Sequence, residues 1–171
     1  MKAKFLNLRN FIPVIITGLI LSSCSKDSTP ADDLIGTWTI ESATFTAMVG
    51  SKTLTQYLID ELALTAAEAQ QFTDLFNQQM QQSFTGTFQM KSDNTYSSTL
   101  GGTPDTGTWS LSSDNKKLTI DSSTDSPTIL DVIELTSSTL HLRGTDSETE
   151  DLNDDGSPET ITVTIDLIFT K

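Results

Sequence analysis

From Leu34 onward, hydrophobic and polar residues alternate in short runs, which is the pattern of half-buried β-strands. Eight such runs are rich in β-branched and aromatic residues, and they read LIGTWTIESATF, FTGTFQM, TYSSTL, DTGTWSL, KLTID, TILDVIEL, TLHLRG and ITVTIDLIF. Within the sixth run, strict alternation would place Ile129, Ile133 and Leu135 on the face opposite Leu130 and Val132.

The links between these runs are short and polar, and they contain the Gly, Asn, Asp and Pro residues that tight turns need. Short links join antiparallel neighbours, so the second to eighth runs predict a meander. Closure of the sheet would remove its exposed edges. The sequence therefore predicts a mainly β fold, an eight-stranded antiparallel up-and-down barrel, whose interior can be filled by side chains or can hold one small ligand.

One segment, about residues 53–83, breaks the alternation and predicts two consecutive helices inserted after the first strand. Thr65 and Glu68 form a capping-box pattern before the longer helical run. Apolar residues at spacings of three and four make a stripe in each helix: Leu54, Leu58 and Leu62, then Ala69, Phe72, Leu75, Phe76 and Met80. The stripes fit either packing across one barrel opening or a lid over a pocket.

The N-terminus has the features of an export signal. Lys2, Lys4 and Arg9 precede an apolar run that is shorter than the roughly 20 residues needed to span a bilayer. The run ends in LSSC, which resembles the lipobox of bacterial lipoproteins; the resemblance implies that Cys24 becomes the first mature residue and is lipid-modified. We expect a signal peptide at 1–23, a flexible tether at 24–33 and one domain at 34–171.

The sequence of the predicted tether gives an indication of where the protein is located in the cell. Lys26-Asp27 resembles part of the surface-export signal of Bacteroidetes lipoproteins, and a generic linker is the alternative. We expect an outer-membrane lipoprotein on the periplasmic face or the cell surface, held to the membrane through Cys24. Because Cys24 is the chain's single cysteine, no disulfide forms within the chain.

Charge excludes one class of partner. The chain has 10 basic and 23 acidic residues, and loss of the signal peptide would leave 7 basic residues and a net charge of −16. Nucleic-acid binding needs patches of Lys and Arg, and after residue 23 the sequence has only the pair Lys116-Lys117. We therefore expect no nucleic-acid partner, and we expect a monomer.

Two motifs carry a family resemblance. Gly36-Thr37-Trp38 and Gly107-Thr108-Trp109-Ser110-Leu111, within residues 34–143, resemble the lipocalin-like domains of exported Bacteroidetes lipoproteins. The resemblance implies a calycin-type barrel with an internal cavity. It implies no particular ligand.

An acidic stretch precedes the last strand. Seven of the fourteen residues from Asp146 to Glu159 are carboxylates. Oxygen donors alternate in DLNDDGSPE as in a calcium loop, and the candidate ligands are Asp151, Asn153, Asp155, Ser157 through its carbonyl, and Glu159. The competing interpretation is an acidic, solvated turn. If calcium binds, we expect an extracellular-type affinity, roughly 10⁻⁴–10⁻³ M.

Catalytic chemistry finds little support in the sequence. His141 is the single histidine, and it alternates with Leu140 and Leu142, so we expect it on the outer face of a strand. The chain has no G-x-S-x-G motif. We therefore expect no enzyme.

Two functions remain. The first is a lipid-anchored binder of a small, partly apolar ligand, in a pocket lined by side chains drawn from Trp38, Phe88, Tyr96, Trp109, Leu142 and Val163. The second is a structural or interaction lipoprotein of the cell envelope whose barrel is filled.

Overall fold

The fold was analysed in a computed structural model that describes residues 29–171. The helices are α1 (Pro30–Leu34), α2 (Leu54–Asp60) and α3 (Ala66–Ser83), with a 3-10 turn at Leu100–Gly102. The strands are β1 (Gly36–Val49), β2 (Lys52–Thr53), β3 (Thr87–Met90), β4 (Thr95–Ser98), β5 (Asp105–Leu111), β6 (Lys117–Ser122), β7 (Thr128–Leu135), β8 (Thr139–Glu150) and β9 (Glu159–Thr170).

The strands form one antiparallel sheet that closes on itself. From β3 to β9 each strand pairs with the next in sequence, and β1 pairs with both β3 and β9. The closing ladder runs from Thr39 opposite Thr170 to Val49 opposite Ile161. This confirms the predicted eight-stranded barrel, to which the two-residue strand β2 is added beside β1.

Two bulges change which residues face the interior. The register of β1 against β9 shifts between Ile40 and Ser42. Trp38 and Phe45 are therefore both buried, although an odd spacing of seven positions would put them on opposite faces of a regular strand. A second shift, between Val132 and Glu134, puts Leu135 against the core with Val132. The alternation predicted for this run was therefore wrong at Leu135, while the side chain of Ile133 is 48% exposed.

Helix α1 closes one end of the barrel. Thr29 and Asp32 form a capping box around Pro30, and Leu34 at the end of the helix is fully buried. The indole N–H of Trp38 donates a 2.8 Å hydrogen bond to the carbonyl oxygen of Leu34. Residues 30–33, predicted as part of the tether, are therefore helical. The capping box starts the helix, and the buried side chain of Leu34 holds its end against the core.

The helical insertion lies after β1, as predicted, and Thr65 and Glu68 form the predicted capping box of α3. Helix α3 packs on α2, on β1 and on the 3-10 turn. Its apolar stripe is only partly covered: Ala69 is buried, whereas Phe72 and Leu75 are 50% and 53% exposed. No helix within residues 29–171 has the length and apolar character needed to cross a membrane.

Part of the acidic stretch is strand. Residues 145–150 extend β8 and pair with β9 as far as Glu150 opposite Glu159. The connection is therefore confined to 151–158, which is shorter than the loop expected from the acidic composition. Acidic residues alternate with Thr and Ser along this part of β8, and all six residues from 145 to 150 are exposed.

Candidate functional site

The barrel contains an interior cavity of about 340 Å³. Its wall is mainly apolar and includes residues from β3 to β9, the 3-10 turn and the end of α3. The lining residues are Phe84, Phe88, Tyr96, Ser98, Leu100, Asp105, Ile120, Thr128, Leu130, Leu142, Ile165, Leu167 and Phe169. The cavity lies toward the end of the barrel opposite α1, because its rim is made by the end of β4 and the starts of β5 and β7.

One part of the wall is polar. The Tyr96 hydroxyl donates a 2.5 Å hydrogen bond to Oδ2 of Asp105, and the Ser122 hydroxyl donates a 2.8 Å bond to Oδ1. The backbone N–H of Thr106 also donates to Oδ1, at 2.8 Å. The bond from Tyr96 is the main reason that the pKa of Asp105 is lowered, so this side chain is a carboxylate at neutral pH.

Tyr96 is held tightly in this wall. Burial, followed by its bond to Asp105, raises the pKa of Tyr96 to about 12. Its ring centre lies 5.1 Å from that of Phe88. Glycine at 107 allows this placement, because an added Cβ would lie 2.9 Å from Cε1 of Tyr96 and would collide with the carbonyl oxygen of Asp121.

Phe84 stands at the mouth of the cavity. It is the C-cap residue of α3, and its ring centre lies 5.4 Å from that of Phe45. Phe84 also lines a second space, which we call the outer groove. The outer groove has a volume of about 740 Å³ and is bordered by Phe45, Met80, Phe84, Ser126, Pro127, Thr128, Ile129, Leu130, Gly144, Thr145, Asp146, Val163 and Ile165. The end of α3 therefore covers the route from the barrel interior to the surface.

The predicted pocket residues fall into three groups. Phe88, Tyr96 and Leu142 line the interior cavity, and Val163 lines the outer groove. Trp38 and Trp109 are buried in the core nearer α1 and are not among the residues that line either space. Each indole N–H is used by the backbone, since Trp109 donates to the carbonyl oxygen of Lys91 at 3.2 Å, as Trp38 does to Leu34.

Sequence reasoning missed Asp105 and Phe84. Asp105 is the first residue of the predicted run DTGTWSL but was not named as a pocket residue; it begins β5 and shares the inward face with Gly107 and Trp109. Its spacings of two and four positions from those residues were the available signal. Phe84 was assigned to the next strand, and its position at the end of α3 depends on tertiary packing for which the sequence offers no marker.

The acidic loop is organised by its own hydrogen bonds. The carboxylate of Asp151 accepts bonds from the backbone N–H groups of Asp155 and Gly156, and Asp155 accepts one from Ser157. Asn153 accepts a bond from the N–H of Asp155 and donates its amide to the Asp155 carboxylate.

Glu159 makes hydrogen bonds to partners other than the remaining four candidate ligands. Its carboxylate accepts bonds from the Tyr57 hydroxyl at 2.9 Å and from the N–H of Leu152. Across residues 29–171, no three or more His, Cys, Asp or Glu side chains are grouped to hold a metal ion. Calcium binding by the five residues stays a prediction, which native mass spectrometry with and without a chelator would test.

His141 lies on the outer face, as predicted. Its Nε2 is 2.7 Å from Oδ1 of Asp166, and Arg143 donates two hydrogen bonds to the same carboxylate. Burial raises the pKa of Asp166, but the bonds from Arg143 and His141 outweigh it and the pKa is lowered. The cluster ties β8 to β9 on the side of the sheet away from the cavity.

Comparison with known proteins agrees with this architecture. A family model described as a lipocalin-like domain matches residues 34–142. The chain is similar to the crystal structure of a DUF4847 family protein from Bacteroides vulgatus, at 14% identity over 80% of this chain and 96% of that one, with a TM-score of 0.36. Curated proteins give no significant match. The family model matches more than half of the chain, and the sheet closes into a barrel. The chain therefore belongs to the lipocalin-like domain family.

Proposed function

We propose that this protein binds a small, mainly apolar molecule inside its barrel. The observation that carries the proposal is the interior cavity of about 340 Å³, walled mostly by Phe, Leu and Ile side chains. This volume is near the lower end of the roughly 300–1,000 Å³ that is usual for small-molecule pockets. Apolar walls with a few fixed polar groups are typical of such pockets, and here Tyr96 and Asp105, joined by a hydrogen bond, supply polar groups.

Lipocalin-like domains are in general a non-catalytic binding fold, which supports binding rather than a reaction. The alternative function, an envelope protein with a filled barrel, fits less well with the open interior. Burial of a ligand would stabilise the complex by removing apolar surface of both partners from water, at about 25 cal/mol per Å².

A pair of matched substitutions tests this proposal. Ile120 lines the cavity, whereas Ile133 lies on the outer face of the barrel. Residues 25–171 contain the complete described barrel and its core, so this segment is suited to the measurement. Octanol serves as a neutral apolar probe, titrated calorimetrically.

Ile120→Phe fills part of the cavity and should weaken octanol binding by about tenfold, or about 1.4 kcal/mol. Ile133→Phe, the same change on the outside, should leave the affinity unchanged. Equal effects of the two substitutions, or no octanol binding to the unaltered protein, would count against the proposal.

We further propose that Cys24 carries a lipid anchor and that the protein resides at the outer membrane. Cys24 lies outside the described residues, and support comes from the LSSC motif and the preceding basic and apolar segments. Four residues lie between Cys24 and Thr29, so the α1 end of the barrel would lie near the membrane and the cavity mouth would point away from it. Mass spectrometry of the membrane-extracted protein should show acyl chains, and a Cys24→Ala variant should lack them.

A further inference from the structure

The interior cavity and the outer groove share an unusual charge pattern. Asp105 lies in the wall of the cavity and Asp146 borders the groove. Among the described residues that line these two spaces, none is Lys, Arg or His. An acidic ligand entering either space would therefore lose its hydration without gaining a cationic partner, which is costly in an apolar environment.

The hydrogen bonds to Asp105 leave room for a ligand. A carboxylate has about four acceptor positions. Oδ1 accepts bonds from Ser122 and Thr106, and Oδ2 accepts one from Tyr96. An acceptor position on Oδ2 therefore stays available to a donor that enters the cavity.

The surroundings of Asp105 suit a positively charged donor. The rings of Tyr96 and Phe88 lie against each other, and both border the cavity. Aromatic faces attract cations, and the attraction is stronger where water is excluded. The bonds from Tyr96 and Ser122 also fix the orientation of the carboxylate before any ligand arrives.

We propose that the natural ligand is an apolar molecule bearing a protonated amine, and that Asp105 binds this amine and makes the cavity reject carboxylates. The inference rests on the proposed binding function and names the ligand class of the same cavity. Asp105 would then have two roles. It would recognise the amine of the ligand, and its hydrogen bonds to Tyr96 and Ser122 join β5 to β4 and β6. A purely structural role would leave the charge preference of the cavity unaffected by Asp105→Asn.

Three probes of equal chain length separate these roles: octylamine, octanol and octanoate, titrated at pH 7 into residues 25–171. We expect octylamine to bind at least about tenfold more tightly than octanoate. In Asp105→Asn the side chain keeps its shape and loses its charge. The preference for the amine, taken as the ratio of the octylamine affinity to the octanoate affinity, should then fall at least about fivefold.

Asp131→Asn is the matched control, because Asp131 is exposed on the outer face and the substitution changes the net charge equally. The amine preference should persist in this variant. Its loss there would mean that the general negative charge of the protein attracts the amine, and this would overturn the inference.

The outcomes also separate this inference from the proposed function. If octanol binds while octylamine and octanoate bind equally well, the cavity binds apolar molecules and the inference about Asp105 is wrong. If none of the three probes binds, both the proposed function and the inference fail. An unchanged amine preference in Asp105→Asn would assign Asp105 a structural role only.

Discussion

The ammonium group of Lys171 lies 4.4 Å from the centre of the Trp38 ring and donates a 2.6 Å hydrogen bond to the carbonyl oxygen of Asp33. The last residue of the chain thereby joins the first long strand to α1. Trp38 in turn donates to the carbonyl oxygen of Leu34. These contacts close the end of the barrel opposite the cavity mouth, so the end covered by α3 is the entrance for the proposed ligand.

Lys171→Met tests this closure. The substitution keeps most of the aliphatic chain and removes the charge and the donor, so it should lower the free energy of unfolding by roughly 1 kcal/mol. Urea denaturation followed by tryptophan fluorescence measures the change. Lys171→Arg should retain most of the stability.

Lys117→Met is the matched control for Lys171→Met. It breaks only the exposed ion pair with Asp131, so the free energy of unfolding should change little. A loss in Lys117→Met as large as that in Lys171→Met would contradict the role given to the contact with Trp38.

The two tyrosines should resist ionisation in the folded protein. Burial, followed by bonds to carboxylates, raises the pKa of both Tyr57 and Tyr96 to about 12. Their partners are Glu159 and Asp105 respectively. Because the folded pKa values are raised, this stabilisation is present below about pH 10 and is lost as the pH rises through about 12.

The measurement is the phenolate absorbance, since Tyr57 and Tyr96 are the only tyrosines in the chain. In the folded protein the absorbance should stay low at pH 10, and in denaturant half of the signal should appear near that pH. A folded protein in which either tyrosine ionises with an ordinary pKa would show that the corresponding hydrogen bond is absent.

Asp166 should make stability depend on acid pH. Its pKa is lowered in the fold by Arg143 and His141, against the opposing effect of burial. Its contribution is therefore present above the ordinary pKa, about 4, and is lost as the pH falls through the lower folded value. Asp166→Asn should cost roughly 1 kcal/mol at pH 7, and the difference from the unaltered protein should shrink in acid.

Denaturation curves at pH 7 and pH 3 give this comparison, with Asp131→Asn as the control on an exposed pair. If Asp166→Asn lowers the free energy of unfolding by the same amount at both pH values, the effect of the substitution is not electrostatic.

The sequence predicted the barrel because a period of two is a local property, and it predicted the helices because a capping box and an apolar stripe are local too. It did not predict the bulges at Glu41 and Ile133, since an extra residue in a strand leaves no mark until the partner strand is known. Helix α1 could have been predicted, because Thr29, Pro30 and Asp32 have the capping pattern.

The candidate site was harder to predict than the fold. Large aromatic residues were expected in the pocket, but Trp38 and Trp109 are used to fill the core near α1, where the backbone accepts their N–H groups. Asp105 stands at the boundary between a predicted turn and the run DTGTWSL, where Asp is common for reasons of turn geometry alone. Its role depends on Tyr96 and Ser122, which reach it from two neighbouring strands.

The most direct test of the central claim is methyl NMR of residues 25–171 during titration with octanol. Binding inside the barrel predicts chemical-shift changes for the methyl groups of Ile120, Leu130 and Leu142, which line the cavity. It predicts none for Ile133 on the outer face. Shifts confined to exposed residues such as Leu75 would place binding on the surface of α3 and would contradict the claim that the barrel interior is the binding site.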